Sequence, residues 1–533
     1  MMENCFVILL AFELALSLFA AWPLLRQLGH APYRRRSPCK VLLRIGLLIA
    51  YTLILALAAF YLPSALHVSA VAAGSFLVWE RWRARPAYGR SRRLPPGSLG
   101  LVPGGIMRDA CFIEKQIKTY GPVFKTSRDF HPYICLYGHE RGLRFLKEND
   151  ESLRGIAMPF SRLIPKGFLR YMDPAIHTDY RILFLAGMSS QTIDEWLPYL
   201  ESNIRQTLHQ VAVDCGHSPT GKVDPDHYLR DMLFLAFVPM FFGIQRNDPL
   251  FPEIQSLYKI IDSRRNWCGT DRKKRRATEK LIELIRRQAV FYTQESEQQE
   301  DMPHCILQKM VAADSSAAQD KTILGNLIYM IELGGLNDTP NLIRWILKML
   351  MQHPTWLDLL LQPGASAGNT ADSDSEQAAE RIVKETLRLQ QIEFLLRKST
   401  RDIEFEGFLI PKNWSIRICI REGNRDAEVF AQPDSFDPNR FKERNYSNVE
   451  YSPFGLFRHN CLGAYLTQRF CQAFILQLAN GFELAAASDW PVEHGKSHWE
   501  PRRGYEIELR RKTGARQKSS SLKQEKKKGV EPN

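Results

Sequence analysis

The stretch Ser452-Pro-Phe-Gly-Leu-Phe-Arg-His-Asn-Cys-Leu-Gly463 restricts this chain more than any other. Its bulky and small residues follow neither a strand nor a helix period, so it is expected to be a loop. The loop bends around Cys461 and releases into a helix over residues 464–480. A thiolate needs an electropositive setting, and backbone N–H groups beside a helix N-terminus supply one. Gly455 and Gly463 let the backbone approach closely, Phe454 can cover a flat apolar ligand, and Arg458 and His459 add cationic donors. Cys461 is then either a buried small hydrophobe, the usual fate of a lone thiol, or the axial ligand of a haem iron. Hydrogen bonding and exclusion of water set how much electron density such a sulfur donates.

The chain divides into four regions. Residues 1–83 form a membrane anchor region with apolar runs at about 5–25, 45–62 and 65–79, the first of which has the roughly 20 residues a crossing needs. A secretory signal is the competing reading, but Met1-Met-Glu-Asn lacks a basic start. Arg26, Arg34, Arg35, Arg36, Lys40 and Arg44 follow the first run, and Arg81, Arg83, Arg85, Arg90, Arg92 and Arg93 follow the third. The positive-inside bias puts both clusters in the cytosol, either with three spans or with one anchor and an interfacial hairpin. Residues 84–105 are a basic, Pro-rich hinge, residues 106–511 a catalytic domain, and residues 512–533 a basic tail too poor in apolar residues to fold.

The net charge of +13 gathers largely at the two ends; nucleic acid is one partner that suits such a balance and an anionic membrane face another. With the apolar runs at the first end, the expected partner is the membrane, with no nucleic acid. Arg272 to Arg276 is expected to be a solvated helix face or a lipid contact. The 10 cysteines include no C-x-x-C pair, so neither a zinc site nor a disulfide framework is indicated.

Within the domain, Tyr120 to Lys125 and Pro132 to Tyr137 predict a short hairpin, and residues 140–295 are mainly helical. Residues 156–171 are expected to be a mixed loop. His177 and Arg181 are four apart on one helical face, a spacing that a solvated pair also satisfies. Residues 324–351 predict a long helix interrupted by Gly334, Gly335 and Asp338-Thr339-Pro340. Two glycines and a proline are costly in a helix. They mark either a simple break or an opening made for a ligand, exposing Asp338 and Thr339 as a proton relay. Residues 363–375 are expected to be a flexible connection, followed by a helix over 380–389 in which Glu385 and Arg388 share a face. Residues 392–396 predict a strand before Arg397, and residues 403–418 alternate as a hairpin.

In their order, these segments resemble the cytochrome P450 family. Phe454, Gly455, His459, Cys461 and Gly463 match its cysteine-loop signature, with Phe457 standing where the family has glycine. Asp338 and Thr339 match its oxygen-activation segment, with Leu336 on a glycine position unless one extra residue lets Gly334 and Gly335 fill those places. The resemblance covers residues 94–511 and implies a mostly α fold with small β-sheets, here preceded by N-terminal transmembrane helices.

The same resemblance implies haem b (iron protoporphyrin IX) with Cys461 as its iron ligand. Phe454, Gly455, Arg458, His459 and Gly463 would lie around the cofactor, and His177, Arg181, Arg397 and His459 are the propionate candidates. Asp338 and Thr339 would be catalytic, and Glu385, Arg388 and Arg440 would be structural support. The implied activity is insertion of one oxygen atom of O2 into a lipophilic small molecule of a secondary-metabolite pathway. An NADPH-dependent flavoprotein reductase would supply electrons at an endoplasmic reticulum membrane, with the catalytic domain in the cytosol. The alternatives are a haem-thiolate isomerase or dehydratase working without a reductase, and a non-catalytic membrane haem protein.

Overall fold

A computed structural model describes residues 94–97, 109, 111–128, 131–155, 164–262, 271–294, 302–360, 370–390, 394–485, 490–494 and 499–512. The three expected spans, the hinge apart from residues 94–97, residues 156–163 and the tail beyond residue 512 lie outside the described residues. Among the described residues no helix is long and apolar enough to cross a membrane.

The expected first hairpin forms from β1 (Val123–Arg128) and β2 (His131–Leu136), paired antiparallel from Val123↔Leu136 to Arg128↔His131. β3 (Leu153–Arg154) and β4 (Leu395–Ser399) follow in the chain. The alternation over 403–418 gives a shorter hairpin than expected. β5 (Ile403–Phe405) and β6 (Phe408–Ile410) pair across Glu406 and Gly407, both at positive φ (50° and 76°), the backbone that tight hairpin turns favour. β7 (Ser415–Ile418) leaves that hairpin and enters a five-stranded sheet of order β1-β2-β7-β4-β3. In this sheet Arg397 on β4 stands opposite Ile416 on β7. Leu395, Ile416 and Ile418 pack with Ile134, Leu136, Phe145 and Leu456 into a small core, and Arg397 is buried on the same side of its strand as Leu395.

The larger core lies among helices Ser190–His217, Asp226–Phe242, Thr339–Gln352 and Ala464–Gly481. A central helical run crosses it: Lys321–Tyr329 is α, Met330–Asp338 is a π-helix and Thr339–Gln352 is α again. The glycines and proline therefore change the register of this run without ending it. Side chains from Thr322 to Met351 are buried almost throughout, including the charged Glu332, Arg344 and Lys348. The exceptions are Met330, Leu333, Gly334, Asn337 and Asp338, whose spacing lines one face.

The helix expected over 380–389 is longer, Thr370–Leu389, and takes in part of the segment read as a flexible connection. Asp374 and Glu376 lie early in it, where negative charge complements the helix dipole. The basic run Arg272–Arg276 lies on helix Asp271–Gln294, with Arg272, Lys273, Arg275 and Arg276 exposed.

Candidate active site

The cysteine loop is built on backbone hydrogen bonds that turn it tightly. Cys461 N–H donates to the Phe454 carbonyl at 2.8 Å, and Gly455 N–H to that of Ser452 at 3.1 Å. Gly455 has φ +87° and Phe457 φ +62°. The position where the family has glycine thus adopts the left-handed backbone that glycine tolerates best, and Phe457 carries that strain. The Cys461 side chain is exposed, and helix Ala464–Gly481 begins just beyond it.

Behind the loop, Arg388 donates to both oxygens of Glu385, at 2.7 and 2.9 Å, and Arg440 Nε reaches Glu385 Oε1 at 3.1 Å. The remaining guanidinium N–H groups go to the carbonyls of Asn424, Pro433 and Ser435 from Arg388, and of Ala431 and Ser435 from Arg440. Glu385 and Arg388 are fully buried. Asn424 carries this network to the loop, since its Oδ1 accepts from Ser452 N–H at 3.0 Å.

On the other side of the loop, helix Pro174–Gly187 presents His177 and Arg181. The helix starts on Asp173, whose carboxylate accepts from Ala175 N–H, with Pro174 at its first position, both strong start signals. Arg181 donates to the carbonyl and side chain of Asn460, at 3.1 and 2.6 Å. The His177 and His459 rings lie 4.0 Å apart between centroids. Both imidazoles are buried, and His177 Nε2 and His459 Nδ1 have no hydrogen-bond partner among the described residues.

Arg397 is also buried, its Nη1 donating to the Leu396 carbonyl. Burial and then the charge of Arg170 pull it down to about 10. Burial, with Arg181, Arg397 and Arg458, lowers His177 to about 4. Burial, with Arg397, His177, Arg181 and Arg170, lowers His459 to about 2. Asp150 acts on Arg397 but lies 3.5 Å from Arg458. Arg458 itself is exposed, so it stands at the rim of this cluster.

On the central run, Thr339 Oγ1 donates to the Gly334 carbonyl at 2.8 Å. A side chain built at Gly334 would meet nothing within 4 Å, whereas at Gly335 it would lie 2.6 Å from Phe237. Asp338 lies on the accessible face and Leu336 is buried. The π-helix takes up an extra residue in this segment, so that Gly334 faces the open side and Leu336 turns away from it. Asn337 donates to Glu332 Oε1 at 3.1 Å, and Arg230 donates to the Leu336 carbonyl at 2.5 Å. Arg170, Arg230 and Asn460 carry no motif of their own, and nothing in the sequence singled them out.

The class that this fold and this site define is that of the haem-thiolate oxygenases. The Cytochrome P450 family model matches residues 109–505, and the chain belongs to that family. It is similar to abscisic acid 8'-hydroxylase 3 of Oryza sativa subsp. indica, 26% identical over 75% of this chain and 84% of that protein. Similarity to abscisic acid 8'-hydroxylase 1 of Arabidopsis thaliana is 25% over 84% of this chain and 98% of that one. Among solved structures, a retinoic acid-bound cyanobacterial CYP120A1 is similar with TM-score 0.63 and 21% identity, covering 79% of this chain and all (100%) of that one. A zebra fish cytochrome P450 with abiraterone is similar with TM-score 0.59 and 16% identity, over 75% of this chain and 98% of that one.

The protein is a monooxygenase whose cofactor is haem b, and its reaction takes dioxygen, a lipophilic substrate and a redox partner. The residues present fit that cofactor. Two buried imidazoles with open nitrogens, set among arginines, suit a group that brings two carboxylates, as the haem propionates do.

Proposed function

We propose that this chain is a membrane-tethered monooxygenase that hydroxylates a lipophilic small molecule in a biosynthetic, secondary-metabolite pathway. The observation that carries the site assignment is the cluster of Arg397, His177, His459 and Arg181 beside the Cys461 loop. Cys461 holds the haem iron. His177, Arg181, Arg397 and His459 hold its propionates, with Arg458 at the edge. Phe454, Gly455 and Gly463 shape the loop against the cofactor. Haem bound to a thiolate supplies dioxygen binding and, through electron donation from sulfur, O–O cleavage.

In this reading Asp338, on the accessible face of the central run, and Thr339, buried beside it with its hydroxyl on the Gly334 carbonyl, hold and pass the protons that the reaction consumes. Glu385, Arg388 and Arg440 fix the loop from behind through Asn424. The similar abscisic acid 8'-hydroxylases support C–H hydroxylation as the form of the chemistry.

Residues 1–83 anchor the domain, residues 84–105 set it against the bilayer, residues 106–511 are catalytic and residues 512–533 form a tail. The apolar runs and their arginine clusters support this division, with the catalytic domain on the cytosolic face of the endoplasmic reticulum. The redox partner is then an NADPH-dependent flavoprotein reductase in the same membrane.

The test is the optical spectrum of the reduced, carbon monoxide-bound protein. A thiolate-ligated spectrum that Cys461→Ala abolishes is expected, and its persistence in that variant would remove Cys461 from the iron. Oxidation that stops without dioxygen or NADPH separates the monooxygenase from an isomerase, a dehydratase or a haem carrier.

A further inference from the structure

The π-helix Met330–Asp338 ends at a carbonyl with an unusual neighbour. In α register the Leu336 carbonyl would accept from the backbone N–H of residue 340. Residue 340 is proline, which has none. A guanidinium from a different helix takes that place. Arg230, on Asp226–Phe242, donates from Nη1 to the Leu336 carbonyl at 2.5 Å, and its Nη2 lies 3.3 Å from Asp262 Oδ2. Asp262 is buried where helix Phe251–Ile261 ends, so the guanidinium is gripped between a carboxylate and the backbone of the central run.

The same segment sets the Thr339 hydroxyl on the Gly334 carbonyl. That contact depends on the wide register. A π segment is a rare form of helix, found mostly as a single turn inserted in an α-helix. Relaxing it to α by one residue would swing Gly334 by about 100° around the axis relative to Thr339. Gly335 would leave its close fit against Phe237, where no side chain has room.

We propose that Arg230 is a positioning residue for the oxygen chemistry. By supplying the donor that Pro340 lacks, it holds the wide register in which Thr339 faces Gly334. It acts through the backbone of the central run and touches no reacting atom. This role rests on the reading of Asp338 and Thr339 as the proton relay.

The test uses the haem-loaded protein and the variants Arg230→Met, Arg230→Lys, Thr339→Ala and Arg230→Met with Pro340→Ala. Three quantities are read: hydrogen exchange at residues 330–341, the melting temperature, and the rate of reoxidation of dithionite-reduced protein in air-saturated buffer. The carbon monoxide spectrum checks that the haem pocket is intact. Arg230→Met is expected to raise exchange in 330–341 and to speed reoxidation several-fold, with Arg230→Lys restoring part of both. Adding Pro340→Ala returns a backbone donor, so the melting temperature recovers while reoxidation stays fast.

Unchanged exchange in both Arg230 variants overturns the proposal. Recovery of both melting temperature and reoxidation rate in the double variant also overturns it, because Arg230 would then only satisfy a carbonyl. Thr339→Ala separates the two readings. If its reoxidation matches the wild type, the relay reading fails, while the exchange data still decide the role of Arg230.

Discussion

The Thr339 hydroxyl rests on the carbonyl of Gly334, five residues back along the same run, at 2.8 Å. In an ordinary α turn a threonine reaches back three or four residues. The longer reach is the signature of the extra residue taken up by Met330–Asp338, and it couples a backbone register to the placement of the Thr339 hydroxyl.

Replacing Thr339 by alanine removes that hydroxyl and leaves the helix able to form. Product per dioxygen consumed should fall, with hydrogen peroxide making up the difference, while substrate affinity stays near wild type. Proton transfer by a placed group is worth roughly 10²–10⁴-fold, so the loss should be large. Thr339→Ser keeps the oxygen and should recover most of the coupling. A simultaneous assay of product and peroxide checks both variants.

Gly334 and Gly335 are adjacent, yet alanine should act on them in opposite ways. At Gly335 the added methyl would sit 2.6 Å from the Phe237 ring, and overpacking of this kind costs about 1–3 kcal/mol. At Gly334 the space is open, and alanine is the better helix former by about 1 kcal/mol. Gly335→Ala should therefore lower the unfolding midpoint, whereas Gly334→Ala should hold or raise it and weaken carbon monoxide binding by filling the accessible face.

The parts of the site legible in sequence were those whose chemistry forces a local pattern. A tight loop around a thiol needs its glycines, and a buried Glu385 needs Arg388 one turn on. The first hairpin was visible because Gly121-Pro122 mark a turn into the first strand and the second apolar stretch follows within a few residues. Which of the two placements of Leu336 holds was hidden, because an extra residue leaves the composition of a largely buried helix unchanged. Arg230 was equally hidden, since its partner Leu336 is 106 residues away and is met only through a backbone oxygen. The start of helix Thr370–Leu389 was masked by small polar residues that also suit a loop.

Glu385 accepts from two arginines and from Asp437 N–H, all in a buried setting. Removing one member of such a network strands the others, at a cost of about 3–5 kcal/mol. Glu385→Ala should lower the unfolding free energy by that amount, with a correspondingly lower denaturation midpoint, and reduce haem retention. Glu385→Gln keeps one acceptor and should be milder. Equal midpoints for wild type and Glu385→Ala would show that the network contributes nothing to the loop.

Phe457 sets two effects against each other. Its left-handed backbone costs a non-glycine residue about 1–2 kcal/mol, while its half-buried ring packs against the small core. Phe457→Gly relieves the first and loses the second, so its stability should stay within about 1 kcal/mol of wild type. Phe457→Ala loses the ring and keeps the strain, and should be clearly less stable. Thermal melts of the two variants side by side decide the balance.

Acid should act on the haem-free protein through the buried pair His177 and His459. Burial first, and then the charges of Arg181, Arg397 and Arg458, lower the His177 imidazole to about 4 against 6.5 ordinarily, and its neighbour His459 is lowered further. Between those values the unfolded chain binds a proton that the fold refuses, so stability is complete above about 6.5 and falls as pH drops toward about 4. His177→Gln should remove part of that fall, and His459, lowered by the same burial and arginines, should supply the rest. Two propionate carboxylates among the same arginines would raise the imidazole again, so the haem-loaded protein should lose less stability over the same window. Denaturation midpoints at pH about 7 and about 5, with and without haem, measure the difference. Equal slopes would place the propionates elsewhere.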